Sequence, residues 1–351
     1  MSAKTVKIPD KLKIHKICVL AWGMVGDTLF RTAFIEPLQK HYPQASISVI
    51  VDNRGKGIFT NNPHVDEIYV FQHAKRPKWR YLLTISKLIG WMRKRKFDLV
   101  INFYSGGSSP IITKLSGATW RVGFDHTAKL RWANNILAPK ASFAGHWIRA
   151  LGETLRPLGI QESDIQHRPF FYCSEAEQSF AKGFMAGDQK WVAFNLGASD
   201  LKKCWPVREH VALAHWLYQE YNLTPLIVTN PGQEFLVEEF KQHYPGNQPA
   251  KYLPVMSFGQ IAAIVQCCEF LVTGDTGLMH LAFGVQARVL GLFTYTQPEH
   301  VMPEGGICVP CFTPDPSLKD EYGQALGTQP TLETVKQAAK LLLSSFSTLA
   351  Q

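Results

Sequence analysis

The stretch ICVLAWGMVGDTLFRTAFIEPLQKHYPQASISVIVD, residues 17–52, determines the fold class. It starts with a short apolar strand, Ile17–Ala21, and passes through a glycine-containing turn into a segment with apolar residues at helical spacing. This helix should end near Tyr42, because Pro43 disfavours helical geometry in the residue before it. A second apolar strand, Ile47–Val51, follows. Strand, helix and strand in this order predict a parallel sheet with right-handed crossovers.

The same alternation of strands and helices continues along the chain and restarts after a segment at 165–174 that is interpreted as a linker. The apolar strands predicted in the second half are Trp191–Leu196, Leu226–Thr229, Phe270–Thr273 and Arg288–Phe293. We therefore predict an α/β protein with two facing Rossmann-like, doubly wound domains, 1–165 and 175–351, and ligands in the cleft between them. The last helix would belong to the second domain or pack back on the first.

Composition and charge exclude several classes of protein. The chain has 351 residues, 46% hydrophobic and 19% charged, which excludes a disordered or fibrous protein. No apolar run reaches the roughly 18 residues of a membrane span. A lysine-rich start before Ile17 resembles a signal peptide, but the run continues directly into Asp27 and a helix, so a buried strand is the better interpretation. Seven cysteines without scaffold-like spacing favour reduced thiols in the cytoplasm. Cys308 and Cys311 have the spacing of half a metal site, but no second pair follows, so no metal is predicted.

The net charge of +9 is concentrated in one segment. Nine basic residues and no acid lie between Phe71 and Phe97, within 75–96. Interleaved aromatic residues, including Trp79 and Trp91, suit the headgroup region of an anionic membrane. The alternative is a helix packed on the sheet with solvated charged ends. Nucleic acid is not predicted as a partner, because no recognition motif accompanies the charge.

The run GDTGLMHLA at 274–282 is the most informative motif. It follows a buried strand, and Asp275 or Thr276 is placed to cap a new helix whose backbone N–H groups would bind a diphosphate. Gly277 lets a ligand approach the backbone closely. The alternative is a capped helix with nothing bound, although the glycine and His280 exceed what capping requires.

Two further strand ends carry candidate donor-binding residues. Lys203 follows the first strand of the second domain and would offset phosphate charge, with Trp205 and Pro206 fixing its loop. Glu234 follows the next strand and would bind ribose hydroxyls. The alternatives are an ordinary surface lysine and a helix-capping acid.

Asp27 is the candidate general base in the first domain. It would be ionised at a helix start and able to accept a proton from a sugar hydroxyl. The alternative is an N-cap aspartate. Dinucleotide binding is disfavoured, because Gly23 and Gly26 form Gly-x-x-Gly and not Gly-x-Gly-x-x-Gly.

Taken in order, these motifs resemble the heptosyltransferase family, the ADP-heptose:lipopolysaccharide transferases of glycosyltransferase family 9. The resemblance covers most of the chain and rests on MVGD at 24–27, LQKHYP at 38–43, NPHVDEI at 62–68, K-x-WP at 203–206 and, most specifically, DTGLMHL at 275–281.

The resemblance implies a GT-B fold and metal-independent transfer of a heptose from ADP-heptose, with inversion, to the lipopolysaccharide inner core. It implies Asp27 as the catalytic base and a lipid-linked phosphorylated saccharide as acceptor. It also implies a cytoplasmic enzyme at the inner membrane surface. The donor-binding positions are Ser199, Lys203, Glu234, Asp275, Thr276, Gly277, Leu278 and His280. Candidate contacts to acceptor phosphates are Arg54, Lys114, Arg121 and His146.

Three departures from the family pattern bear on substrate choice. Ala21 stands where the family usually has a basic residue, Ala198–Ser199 replaces a hydroxyl pair, and TYTQP at 294–298 replaces Gly-Pro-Thr-Asp-Pro. The alternatives are therefore a divergent glycosyltransferase with another nucleotide-sugar, or a non-catalytic nucleotide-binding protein that binds a membrane or partner through its basic face.

Overall fold

The computed structural model describes residues 11–72, 78–103, 108–124, 131–139, 142–305, 307–320 and 322–347. The chain divides into two compact units, Met1–His167 and Arg168–Gln351. The division falls inside the segment 165–174 that was interpreted as a linker. Each unit has its own sheet and its own hydrophobic core.

The first unit is a Rossmann-like sheet flanked by helices. Its elements are β1 (Lys16–Leu20), α1 (Val25–Phe30), α2 (Ile35–His41), β2 (Ser46–Asp52), β3 (Glu67–Phe71), α3 (Lys78–Arg95), β4 (Leu99–Asn102), α4 (Ser109–Leu115), β5 (Trp120–Phe124), β6 (Ile136–Ala138) and α5 (Trp147–Gly152). The strand order is β3-β2-β1-β4-β5-β6, and the pairings among the described residues are parallel. This is the doubly wound order of Rossmann folds.

The second unit repeats that order and extends it by one strand. Its elements are α6 (Glu175–Phe184), β7 (Lys190–Asn195), α7 (Val207–Tyr221), β8 (Leu223–Val228), α8 (Glu234–His243), β9 (Lys251–Tyr252), α9 (Phe258–Gln266), β10 (Phe270–Gly274), α10 (Gly277–Gly284), β11 (Val289–Phe293), β12 (Cys308–Lys319), β13 (Ala325–Thr328) and α11 (Leu332–Ser347). The strand order is β13-β12-β11-β10-β7-β8-β9. Only β13, at the edge, pairs antiparallel among the strands described. The sequence analysis did not predict this hairpin.

The single helix predicted between β1 and β2 is divided. A 3-10 turn, Arg31–Phe34, separates α1 from α2. Pro37, in the first turn of α2, has no backbone N–H, and its ring crowds the carbonyl four residues earlier. A tighter 3-10 turn relieves that crowding. α2 then ends at His41, in agreement with the stop expected near Pro43.

The last helix, α11, packs within the second unit. Its buried side chains Val335, Ala339 and Leu342 lie in one cluster with Trp205 and Leu217. They therefore contribute to the core of the second unit. None of the helices in the described part of the chain is long and apolar enough to cross a membrane.

Candidate functional site

The carboxyl ends of β7, β8, β10 and β11 meet at one edge of the second sheet, because these strands are parallel. The strand order reverses between β7 and β10, which are neighbours in the sheet. β8 lies on the other side of β7, and β11 lies on the other side of β10. In doubly wound sheets, ligands bind in the crevice where the strand order reverses. The loops that follow β7 and β10 flank this crevice, and they carry most of the predicted donor-binding residues.

Asn195, the last residue of β7, holds these loops together. Its Nδ2 donates to Oγ1 of Thr273 at 2.9 Å and to Oγ1 of Thr276 at 3.1 Å. Its Oδ1 accepts a hydrogen bond from Nδ2 of Asn230 at 2.7 Å. Asn195 is buried, so one amide connects three strand ends. The sequence analysis missed this role, because it depends on β7 and β10 being neighbours in the sheet.

The start of α10 is a half-buried cluster of backbone donors. Thr276 is the N-cap, and its Oγ1 accepts the N–H of Met279 at 3.4 Å. Of the two predicted caps, the structure assigns Thr276, since the Asp275 side chain is turned elsewhere. Gly277 and Leu278 are half-buried, whereas Met279 is buried. The first N–H groups of a helix and its positive dipole end can form an anion site.

The Asp275 carboxylate is bound to groups on two other segments. Its Oδ1 lies 3.3 Å from Nε2 of His280, and the Thr296 hydroxyl donates to its Oδ2. Burial would raise the pKa of Asp275, but the hydrogen bond and charge of His280 outweigh it, with help from Thr296 and the charge of Lys203. The pKa of Asp275 is therefore lowered. His280 thus acts on Asp275 through the interior, where it is buried.

Lys203 lies on a 3-10 turn, Leu201–Lys203, between β7 and α7. Trp205 anchors this turn, because its buried indole N–H donates to the carbonyl of Pro330 at 2.8 Å. Lys203 itself is half-buried, and its Nζ lies 5.8 Å from the centroid of the Tyr295 ring. Ser199 is exposed in the same loop. The predicted anchoring of the lysine loop by Trp205 is confirmed.

Glu234 is exposed at the start of α8, after β8. Its carboxylate accepts its own backbone N–H and that of Gly232, and these hydrogen bonds lower the pKa of Glu234. The loop lies against the one that follows β7: Nε2 of Gln233 donates to the carbonyl of Ala198 at 2.7 Å. A Cβ at Gly197 would lie 2.0 Å from Oε1 of Gln233, so a larger residue there would displace the Gln233 side chain.

Asp27 lies in the first turn of α1, after β1. Its Oδ2 accepts the backbone N–H of Met24 at 3.1 Å, so the carboxylate stabilises the helix start although Met24, not Asp27, is the N-cap. Among the described residues, none donates a hydrogen bond to its Oδ1. Asp27 as a whole is half-buried.

Two arginines lie close to Asp27, and the sequence analysis proposed only one of them. Arg54 donates to Oδ2 of the buried Asp52 and also contacts Sδ of Met24 at 2.7 Å, next to the Asp27 turn. Arg31 is buried, and its Nη1 donates to the backbone carbonyl of Asp27. Arg31 lies four residues after Asp27, and this spacing could have identified it from the sequence, because residues four apart are neighbours on a helix.

Of the other three candidate acceptor contacts, Arg121 is engaged elsewhere in the first unit. Arg121 donates to the carbonyls of Ala118 and Ala133, at 2.6 and 3.0 Å, which precede β5 and β6. It therefore serves the edge of the sheet where strands begin, whereas Asp27 follows a strand end. Burial lowers the pKa of Arg121. Lys114 is exposed on α4, and the ring of His146 lies 5.6 Å from that of His167.

Most of the basic segment forms α3. Residues 73–77, which include Lys75 and Arg76, lie outside the described residues. One side of α3 packs on the sheet through the buried Leu88 and Met92. The opposite side exposes Trp79, Leu82 and Leu83, by 56%, 64% and 50%. The packing on the sheet is thus confirmed for one side of the helix, whereas membrane binding by the exposed side stays a prediction.

Cys308 and Cys311 are buried free thiols on β12. Burial raises the pKa of the Cys308 thiol and raises the pKa of the Cys311 thiol to about 12. Across the described residues, no group of three or more His, Cys, Asp or Glu side chains lies together as a metal site would require.

Two Rossmann-like units in one chain, each with polar side chains at the carboxyl ends of its strands, are the architecture of GT-B glycosyltransferases. The family model described as glycosyltransferase family 9 (heptosyltransferase) matches residues 85–308, more than half of the chain. The chain therefore belongs to glycosyltransferase family 9, and it is a glycosyltransferase.

Individual relatives agree with this assignment. A lipopolysaccharide core heptosyltransferase, OpsX, from Haemophilus influenzae is 19% identical over 326 residues, 91% of this chain and 90% of the relative. A family 9 glycosyl transferase structure from Veillonella parvula has a TM-score of 0.82 at 20% identity and covers 96% of this chain and 99% of its own. The Escherichia coli heptosyltransferase WaaC with ADP has a TM-score of 0.74 at 19% identity, covering 93% and 99%. At these identities the solved structures show the shared fold.

Proposed function

We propose that this enzyme transfers a heptose from ADP-heptose to the inner core of lipopolysaccharide, with inversion at the anomeric carbon and without a metal ion. The observation that carries the proposal is the helix start at Thr276, with the backbone of Lys203 close to Gly274 at the end of β10, in a chain of the heptosyltransferase family. The name of the Haemophilus influenzae relative and the ADP bound to WaaC support the acceptor and the donor, respectively.

The donor would bind at the carboxyl edge of the second sheet. In this proposal the diphosphate accepts the N–H groups at the start of α10, near Gly277 and Leu278, and Lys203 offsets its charge. Ser199 adds a hydroxyl from the loop after β7, and Glu234 binds ribose hydroxyls. His280 acts indirectly, by holding Asp275 turned away from the helix start.

Asp27 would act as the general base. The acceptor hydroxyl gives its proton to Oδ1 of Asp27 while its oxygen forms a bond to the anomeric carbon of the heptose. The bond from that carbon to the diphosphate oxygen breaks, and its electron pair leaves with ADP. Attack from the face opposite the leaving group inverts the configuration. The hydrogen bond from Met24 to Oδ2 fixes the carboxylate and leaves Oδ1 for this task.

Metal independence is proposed because the chain itself supplies positive charge to the leaving group. Lys203 contributes a full charge, and the start of α10 contributes roughly half a charge. Both would stabilise the diphosphate as negative charge develops on it. Activity should therefore survive exhaustive treatment with EDTA, and a loss that Mg²⁺ restores would contradict this part of the proposal.

The acceptor would meet the first unit. Arg54 is the best placed of the candidate phosphate contacts, because its guanidinium reaches the Asp27 turn through Met24 and is half-exposed. The exposed side of α3 would rest on the anionic cytoplasmic surface of the inner membrane. Trp79, Leu82 and Leu83 would enter the headgroup region while the helix's lysines and arginines contact lipid phosphates. The seven free thiols suit the reducing cytoplasm.

The decisive experiment combines calorimetry with a transfer assay. Wild-type protein should bind ADP, and Asp27→Asn should keep that affinity while transfer to a heptose-deficient lipopolysaccharide falls by orders of magnitude. Asp164→Asn is the matched control, because Asp164 caps a 3-10 turn through the same kind of bond, to the N–H of Gln161 at 2.8 Å. Absence of ADP binding would reject the donor assignment, and unchanged turnover would reject Asp27. A panel of other nucleotide-sugars tests the divergent-donor alternative.

Membrane binding needs its own test. Lys87→Ser with Lys94→Ser should weaken sedimentation with phosphatidylglycerol liposomes and leave ADP affinity unchanged. The control pair is Lys182→Ser with Lys190→Ser, exposed lysines of the second unit. Equal effects of the two pairs would mean that α3 is only a solvated surface.

A further inference from the structure

The loop that follows β11 exposes one aromatic ring at the candidate donor site. Thr294, Thr296 and Pro298 are buried, whereas Tyr295 between them is 42% exposed. β11 ends at the same sheet edge as β10, so the loop borders the crevice described above. The Tyr295 ring is therefore partly exposed to solvent at this edge of the sheet, although the residues on either side of it in the chain are buried.

Hydrogen bonds from the two residues that follow Tyr295 hold the loop in place. The Thr296 hydroxyl donates to Asp275, and Nε2 of Gln297 donates to the carbonyl of Ala325 on β13. The edge hairpin therefore braces the loop, and the loop braces Asp275. These bonds hold the residues that follow Tyr295 in the chain.

The partner of the ring is the ammonium of Lys203. Nζ of Lys203 lies 5.8 Å from the ring centroid, within the range of a cation–π interaction. The same ammonium acts on Asp275, since its charge helps to lower the pKa of that carboxyl group. The backbone is close as well: a Cβ at Gly274 would lie 3.7 Å from the Lys203 carbonyl. A flexible four-carbon side chain is thus held between a ring and a carboxylate.

We propose that Tyr295 is a positioning residue that holds the Lys203 ammonium toward the start of α10, where it meets the diphosphate of the donor. The inference rests on the proposed function for the identity of that ligand. An ammonium that is already in place loses less conformational entropy when the diphosphate binds. The aromatic ring is the part of Tyr295 that matters, and its hydroxyl is not required.

The test is a double-mutant cycle read by calorimetry with ADP. Tyr295→Leu should weaken ADP binding by about 2- to 5-fold, the range of an exposed cation–π contact, and Tyr295→Phe should bind like wild type. In a Lys203→Met background, Tyr295→Leu should have no further effect. Tyr221→Leu, at a partly exposed tyrosine at the end of α7, is the control and should leave ADP affinity unchanged. Equal losses with Leu in both backgrounds, or a Phe variant as defective as Leu, would overturn the inference.

A second measurement needs no ligand and separates this inference from the proposed function. Acylation of Lys203 by a succinimidyl ester, followed by mass spectrometry, should be faster in Tyr295→Leu than in wild type or Tyr295→Phe. Loss of the ring frees the side chain. If wild type fails to bind ADP but the labelling rates differ in this way, only the donor assignment fails. Identical labelling rates in all three proteins would overturn the role of Tyr295.

Discussion

Replacing Asn195 should damage the donor site in two separable ways, depending on the replacement. Asn195→Ala removes all three hydrogen bonds of the buried amide. Thr273 and Thr276 remain paired with each other at 3.2 Å, and the half-buried Asn230 can turn to water. The expected cost in the free energy of unfolding is therefore that of one imperfectly satisfied group plus a small cavity, about 1–3 kcal/mol, and not the sum of three bonds.

Asn195→Asp keeps the volume but adds a negative charge beneath the start of α10. The two threonine hydroxyls and Asn230 can all donate to a carboxylate, so the fold should tolerate it. A bound diphosphate would feel the charge: at about 6 Å and an effective dielectric constant of about 20, two unit charges repel by about 3 kcal/mol. That corresponds to a loss of roughly 100-fold in ADP affinity.

The assay is ADP calorimetry on both variants, together with urea unfolding. The matched control is Asn102→Asp at the end of β4 in the first unit, where Asn102 is also buried and donates to Oγ of Ser109 at 3.2 Å. The control should lower stability and leave ADP affinity unchanged. If Asn195→Asp binds ADP like wild type, or if both Asp variants lose affinity equally, the diphosphate does not bind at the start of α10.

Three further outcomes follow from contacts in the second unit. Gly197→Ala should weaken ADP binding several-fold, because its Cβ would lie 2.0 Å from Oε1 of Gln233, whereas Gly183→Ala meets open space in α6 and should add up to about 1 kcal/mol of stability in urea. Trp205→Phe leaves a buried backbone carbonyl without its donor and should cost about 1–3 kcal/mol by the same measurement. Asp275 has a lowered pKa when folded, so its stabilising contribution is present above the unfolded pKa of about 3.9 and is lost as the pH falls through the folded value. The stability difference between wild type and Asp275→Asn should therefore shrink on acidification below about pH 4, and a pH-independent difference would contradict that origin.

Much of the fold could be predicted, because parallel strands buried on both faces appear in the sequence as apolar runs. The central strands β1, β2, β7, β10 and β11 were all located in this way. β5, β6 and the β12–β13 hairpin were missed, because they lie at or near the sheet edges, where the burial of side chains is uneven. The 3-10 turn that divides the first predicted helix was also missed, because the sequence analysis considered Pro43 and not Pro37.

Only those features of the candidate site that depend on residues close together in sequence could be predicted. The cap was narrowed to Asp275 or Thr276 from the motif alone, since capping involves neighbouring residues. Asn195 could not be recognised, because its partners are 35 to 81 residues away in sequence. Arg121 shows the opposite failure: an arginine in a suitable region was interpreted as a ligand contact, whereas its guanidinium is taken up by two backbone carbonyls. The identity of a side chain does not reveal which backbone groups would otherwise be left unpaired.

An acidic residue beside a proposed anion site is unexpected, and the geometry of Asp275 explains how it is accommodated. A carboxylate beside the first turn of α10 would repel a diphosphate if it faced the same solvent. Instead, both of its oxygens are bound, one at 3.3 Å from Nε2 of the buried His280 and the other to the Thr296 hydroxyl. Within the proposed donor site, the charge of Asp275 is thereby taken up by these two contacts. The charge of Lys203 helps to lower the pKa of Asp275, so the two groups attract each other, and Asp275 would assist binding of a diphosphate by helping to orient this cation.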